Sequence, residues 1–288
     1  MTGSQAGPES GPASGPANGR FAGHDPQAGA DTAGTEWAGR LLAPSPFAGD
    51  DGAPDAAVRA ALHALSSGTS SDHLSGGTGA SPASGSAERA LLEALASARL
   101  FAAIEAVPAE VDDSGPLARE VESDMASPVL TAPDGRRAML LFTGLDTLAA
   151  WQGDARPVPV TGPDAAVAAL DDACDVLLLD LGSPDAAVVR LSQLWALAQR
   201  RPWLPAHEDP VVRDALALAV RGRPDIVAAR LEDGTVHAPG VTRLVLELRP
   251  GLTQTQVHDL TQIVGQALAT DPEVRLRIDD VAMVLRGA

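Results

Sequence analysis

The chain has 288 residues, a mean hydropathy of +0.03 and 45% hydrophobic residues, enough for one or two compact domains. Its formal net charge is −17, with acids outnumbering arginines eight to three over residues 1–85, eighteen to nine over 86–205 and twelve to nine over 206–288; no segment has a basic footprint, which excludes nucleic acid and anionic membrane as partners. Cys174 is the one thiol and there is no lysine or tyrosine, so an internal disulfide, Schiff-base chemistry and the lysines of phosphate loops and protein kinases are excluded too.

Residues 1–35 are Gly, Ala, Ser, Pro and Gln with almost nothing to bury, and they read as a disordered tail. Residues 36–65 break that pattern with Trp37, Leu41, Leu42 and Phe47, followed by Asp50 and Asp51. Asp55 then caps a short helix carrying Val58, Ala61, Leu62 and Leu65. This is a docking segment with two readings: it packs on the body of its own chain, or it is a linear motif for another protein. Residues 66–85, with Ser75-Gly76-Gly77-Thr78-Gly79, read as a flexible linker.

The body opens at Ser86, a helix cap before the stripe Leu91, Leu92, Leu95 and Ala98. Arg99–Val107 reads as a strand and 108–124 as an acidic loop. Met125–Thr131 and Arg136–Phe142 are strands joined by the hairpin signal Pro133-Asp134-Gly135. Thr143 and Asp146 have capping-box spacing before a helix through Leu145, Leu148 and Trp151. Pro157–Val160 is an edge strand, because its prolines donate nothing to a ladder. Asp164–Leu170 is a helix, and Asp175–Leu181 is the most apolar and central strand. Gly182-Ser183-Pro184-Asp185 turns into a strand at Ala187–Leu191, after which Ser192 caps a helix with Leu194, Trp195 and Leu197.

Residues 206–288 form a smaller unit: a helix over 210–221, strands at Ile226–Leu231 and Val241–Leu248, a helix with a Thr253/Gln256 capping box and a Leu252–Val257 staple, then strands at Val274–Ile278 and Val281–Leu285. The order lacks regular βαβ alternation. It predicts an α+β fold: a mixed or antiparallel sheet with flanking helices over 86–205, a C-terminal β-β-α-β-β unit, and a disordered N-terminal arm.

Motif by motif, little chemistry emerges. Six histidines lack metal-ligand spacing, and neither Gly-x-Ser-x-Gly nor a strand-borne Gly-x-Gly-x-x-Gly occurs, so no catalytic residue, metal or cofactor is assigned. Cys174 stands among Asp171, Asp172 and Asp175, a setting that raises a thiol pKa and suits a small packed residue. Paired acids such as Asp112-Asp113 and Asp279-Asp280 fit solvated loops and helix ends. Arg136 and Arg137 are the anion-binding candidates, with strand alternation leaving one of them to face any ligand. Trp203, between Pro202 and Pro205, is expected to be partly exposed and, with Trp37 and Phe47, is an interface candidate.

Glu122-Ser123-Asp124-Met125-Ala126, Leu130-Thr131-Ala132-Pro133-Asp134-Gly135-Arg136-Arg137-Ala138, Leu148-Ala149-Ala150-Trp151, Ala155-Arg156-Pro157-Val158-Pro159-Val160 and Leu194-Trp195-Ala196-Leu197-Ala198-Gln199 together resemble the SseB family of high-GC Gram-positive bacteria. The resemblance covers about residues 36–205 and, more loosely, the C-terminal unit. It implies a fold and a cytoplasmic setting, and it carries over no catalytic residue. That setting agrees with the lone thiol and with a first 35 residues that have neither a basic start nor an apolar run.

The leading expectation is a non-catalytic interaction or regulatory module that meets another protein through residues 36–65, in an oligomeric state the sequence leaves open. The alternatives are a sensor of a small anionic metabolite or amino acid, and an enzyme with an unrecognised site. A sensor requires an enclosed pocket with a buried arginine. An enzyme requires titratable groups within hydrogen-bond reach, and an adapter requires an exposed apolar patch or groove.

Overall fold

Asp55 starts the first helix of the structured body, since its Oδ1 accepts the amides of Ala57 and Val58 at 2.8 and 3.2 Å. The computed structural model describes residues 47–72, 82–107, 124–126 and 128–288. The arm at 1–35, Trp37, Leu41, Leu42, residues 73–81 of the linker and residues 108–123 of the acidic loop lie outside the described residues. Met1–Ala48 and Gly49–Ala288 are separate units, and the helices and strands of the described residues all belong to the second.

Helix α1 (Ala56–Asp72) runs seven residues past Leu65, and α2 (Pro82–Leu95) begins four residues before Ser86, which is therefore not its cap. Val58, Ala61 and Leu62 are buried in the same cluster as Leu91, Leu92 and Leu95. The helical half of the docking segment thus packs on its own chain. Ahead of α1, Arg99 pins a strap of backbone: its guanidinium donates to both carboxylate oxygens of Asp50 at 2.8 and 2.9 Å and to the carbonyls of Ala53 and Thr143.

Strand β1 (Arg99–Val107) lies where the sequence predicts it. Where one strand is expected over Met125–Thr131 there are two, β2 (Asp124–Ala126) and β3 (Val129–Thr131). β2 pairs with β1, whereas β3 pairs with β4 (Arg137–Phe142). Because β1 and β4 pair directly only at Phe101–Phe142 and Ala102–Leu141, these two strands fill the wedge where they part. The β3–β4 turn forms as predicted, with Gly135 at φ +87° and its amide donating to Ala132 O at 2.9 Å.

Then come α3 (Leu145–Trp151), β5 (Arg156–Thr161), α4 (Gly162–Asp171), β6 (Val176–Leu179), β7 (Ala187–Val189) and α5 (Leu191–Ala198). Two expected caps are replaced. Gly144, not Thr143, is the N-cap of α3. Thr143 instead gives its amide and hydroxyl to the buried carboxylate of Asp180 at 2.8 and 2.7 Å, and the Thr147 hydroxyl joins at 2.7 Å. Likewise Arg190 is the N-cap of α5, while Ser192 is buried and turned toward Asp279. In both cases a carboxylate, buried at Asp180 and part-buried at Asp279, claims the hydroxyl, because leaving it unpaired costs more than an exposed cap contributes.

The sheet order is β5-β1-β4-β6-β7, with β2 and β3 in the wedge. Among these pairings β4–β6 alone is parallel, so the sheet is mixed, as expected. Alternation divides its two faces. Leu100, Ala102, Met139, Leu141, Leu177 and Leu179 meet α1, α2, α4 and α5; Phe101, Ala103, Leu140, Phe142 and Leu178 meet α3.

The C-terminal part comprises α6 (Pro210–Val220), β8 (Ile226–Asp233), β9 (Val241–Leu248), α7 (Gln254–Thr270), α8 (Pro272–Arg275) and β10 (Asp280–Gly287). The Thr253/Gln256 capping box forms. The expected strand Val274–Ile278 does not: Asp271 Oδ1 caps Glu273 and Val274, Pro272 fits the first helical turn, and Val274 enters the core. β9 is central, antiparallel to β8 and parallel to β10. Among the described residues no helix is long and apolar enough to cross a membrane.

Candidate interaction site

The sequence-predicted residues do not converge. Arg136 is 71% exposed and ion-paired with Asp134 at 2.7 Å. Arg137 is exposed on the same hairpin, its amide donating to Asp175 at 2.8 Å. Trp203 corrects an expectation: it is 5% exposed rather than partly exposed. Its indole N–H donates to Ser192 Oγ at 3.1 Å, and the Arg190 guanidinium lies 5.8 Å from its ring centroid, so the ring is core. Phe47 is half-buried in a turn, and Trp37 lies outside the described residues. Cys174 is buried, as expected. Burial pushes its thiol pKa up; Arg137 opposes this, and Asp172 and Asp175 add to it.

Around Trp203 the structure gathers an unpredicted polar hub. Arg190 makes a two-pronged ion pair with Glu88 at 2.7 and 2.9 Å and a third contact with Asp279 at 2.9 Å. Asp279 also accepts the amide and hydroxyl of Ser192 at 2.8 and 2.9 Å. Burial pulls the guanidinium pKa down, and the hydrogen bonds and charges of Glu88 and Asp279 more than reverse this, leaving it above its ordinary value. The backbone makes room for it at Gly240, φ +82°, where a Cβ would stand 2.6 Å from Arg190 Nε. Arg190, its side chain 15% exposed, comes nearest to the buried arginine a sensor requires, but both its carboxylates are internal, and the adjoining cavity of about 30 Å³ is sized for water. The hub therefore ties α2 and the β7–α5 turn to the segment before β10.

A larger opening lies between α6 and β8. This groove, about 360 Å³, has an apolar lining from Leu216, Val220, Ala229 and Leu231, with His207 and Arg213 among its polar groups. Helical spacing makes one flank, since Arg213, Leu216, Ala217 and Val220 recur at i, i+3, i+4 and i+7. Alternation makes the other, because Ala229 and Leu231 point toward the helices while Arg230 points to the opposite face. There Arg230 is held by Glu247 and Glu232, which raise its pKa, and it lowers that of Glu232 in turn. Among the described residues Arg213 has no carboxylate partner; it donates to the Glu208 carbonyl at 3.1 Å. The sequence reading missed Arg213, Ala229 and Leu231; its available signal was the four-residue helical stripe beside a strand free of proline.

Among the described residues no group of three His, Cys, Asp or Glu side chains is placed to hold a metal. In comparisons with known proteins, no curated protein and no solved structure matches the chain. The sequence model of one family, described as SseB protein N-terminal domain, matches residues 80–196, which run from α2 into α5 and end before the groove. The chain therefore carries an SseB N-terminal domain, the family its sequence resembles.

Proposed function

We propose that this chain is a non-catalytic interaction module and that the groove between α6 and β8 receives another protein. The observation that carries the reading is the groove itself, about 360 Å³ with an apolar lining, beside an arginine that has no counter-charge among the described residues. The docking segment supports it indirectly. Its helical half is committed to the chain's own core through Val58, Ala61 and Leu62, so a partner has less of residues 36–65 to grip. The metabolite-sensor reading gains nothing from Arg136 and Arg137, which stand on an exposed hairpin away from the groove.

The test is quantitative co-purification with the full-length chain from cells that express it, beside two variants. Ala217→Gln fills the groove from an exposed position of α6, and Trp37→Ala/Phe47→Ala disables the other candidate surface. The expected result is a stoichiometric partner held by the wild type and the double variant and lost from Ala217→Gln, with unchanged circular dichroism. A partner lost only from the double variant moves the site to residues 36–65. No partner, together with turnover in a substrate panel, refutes the module reading.

A further inference from the structure

The two sheets leave different edges open. In the larger sheet, β5 carries Pro157 and Pro159, which have no amide to offer, and β7 is three residues long. Both edges are blunted against another strand. In the smaller sheet β8 is eight residues long, contains no proline and, among the described residues, pairs only with β9.

The register shows which backbone groups it leaves free. Gly234 N–H donates to Val241 O at 3.1 Å, which makes Gly234 and Val241 a hydrogen-bonded pair. Antiparallel pairs alternate, so the peptide groups of Glu232 and Arg230 also point at β9. Those of Leu231 and Ala229 point away from it, and both residues line the groove. The free donors and acceptors and part of the apolar lining thus belong to the same two residues. A bulge at Val227, between Ile226 and Ala228, ends that regular stretch.

Charge selects among occupants. The chain is strongly acidic, yet the groove's free ionic group is a cation: Arg213 has no carboxylate among the described residues, whereas Arg230 next to it is satisfied by Glu232 and Glu247. A segment that places a carboxylate at Arg213 and a small apolar side chain against Leu216 and Val220 complements both features. A second copy of this strand meets Arg213 less well, since both of its acids are already engaged, Glu232 by Arg230 and Asp233 by the Thr235 amide.

We infer that β8 is a strand-addition site for an extended acidic–apolar peptide segment of a partner protein, held by ladder bonds at Ala229 and Leu231 and by an ion pair to Arg213. The inference rests on the interaction-module reading and adds the partner's chemistry and mode of binding.

The probe is a synthetic seven-residue peptide of alternating Glu and Val, titrated to millimolar concentration into the full-length protein. Three companions accompany it: the same peptide N-methylated at alternate residues, its Lys/Val counterpart, and the protein variant Arg213→Gln, whose altered residue is exposed. Amide hydrogen exchange is read at Ala229 and Leu231. The acidic peptide is expected to slow exchange there by at least about tenfold. N-methylation in the bonding register should abolish that protection, the basic peptide should give none, and Arg213→Gln should weaken binding severalfold and flatten its salt dependence. Unchanged exchange at both amides at millimolar peptide overturns the inference. So does protection by acidic and basic peptides alike, or protection without peptide accompanied by dimerisation in sedimentation. A native partner that binds while these amides still exchange overturns the strand-addition inference and leaves the module reading intact.

Discussion

Arg190→Met tests whether the hub holds the molecule together. The change keeps an apolar stem of similar length and removes the guanidinium, so Glu88 and Asp279 lose their counter-charge together. Each of those side chains is 14% exposed, too little for water to replace the lost partner. Removing one member of a buried pair costs about 3–5 kcal/mol, and two prongs to Glu88 plus one to Asp279 place this loss at about 4 kcal/mol. At roughly 2–4 °C per kcal/mol for a unit of this size, the midpoint of thermal unfolding should fall by about 8–16 °C. Urea denaturation followed by tryptophan fluorescence is the assay, since Trp203, one of four tryptophans, sits on the hub. The triple change Arg190→Met, Glu88→Gln, Asp279→Asn should recover part of the loss, since an uncharged replacement no longer strands two buried anions. A single variant within about 1 kcal/mol of the wild type, or a triple variant no more stable than the single, refutes the argument.

Local geometry supports two more expectations. Gly162→Ala should cost about 3 kcal/mol by urea denaturation, because the added Cβ would lie 2.0 Å from the Leu95 backbone oxygen, which cannot rotate aside; a cost under about 1 kcal/mol contradicts this. The Asp50 carboxyl is held below its ordinary pKa by the hydrogen bonds of Arg99 and then by the Gly52 amide. A depressed carboxyl contributes stability that is present above the unfolded value, about 3.9, and is lost as pH falls through the folded value. The exchange protection of the Gly52 and Leu145 amides, which donate to Asp50 and to Gly52 O, should therefore drop in acid, and Asp50→Asn should remove that pH dependence. Protection that falls equally in the variant would disprove the assignment.

Much of the fold was legible because it rests on local signals. The alternation of Leu100 to Ala103 and Met139 to Phe142 marks strands buried on both faces, Pro133-Asp134-Gly135 marks a hairpin, and Thr253 with Gln256 marks a helix start. The failures share one cause. Thr143 and Ser192 look like caps in sequence, but distant carboxylates, Asp180 and Asp279, claim their hydroxyls. Trp203 looks like an exposed ring between prolines until Ser192 and Arg190 come beside it from the other end of α5. Val274 to Ile278 has strand composition, and Asp271-Pro272 overrules it. The groove belongs to the same class. Its two flanks are separately visible as a helical stripe and a proline-free strand, and only tertiary packing sets them side by side, with Arg213 lacking a carboxylate among the described residues.

Helix α1 has a practical consequence for anyone dissecting this protein. It ends at Asp72, ahead of the family match that begins at residue 80, yet Val58, Ala61 and Leu62 sit in the same hydrophobic cluster as the matched helices. Trp203, beyond the far end of the match at residue 196, fills that cluster too. The unit that evolution copies as a recognisable sequence is therefore smaller than the unit that physics folds. A fragment cut at the family's limits would bare oily surface on two sides and invite aggregation, whereas cuts placed before Asp50 and after Trp203 would retain every residue of that cluster and give up the Asp279 contacts to Arg190 and Ser192.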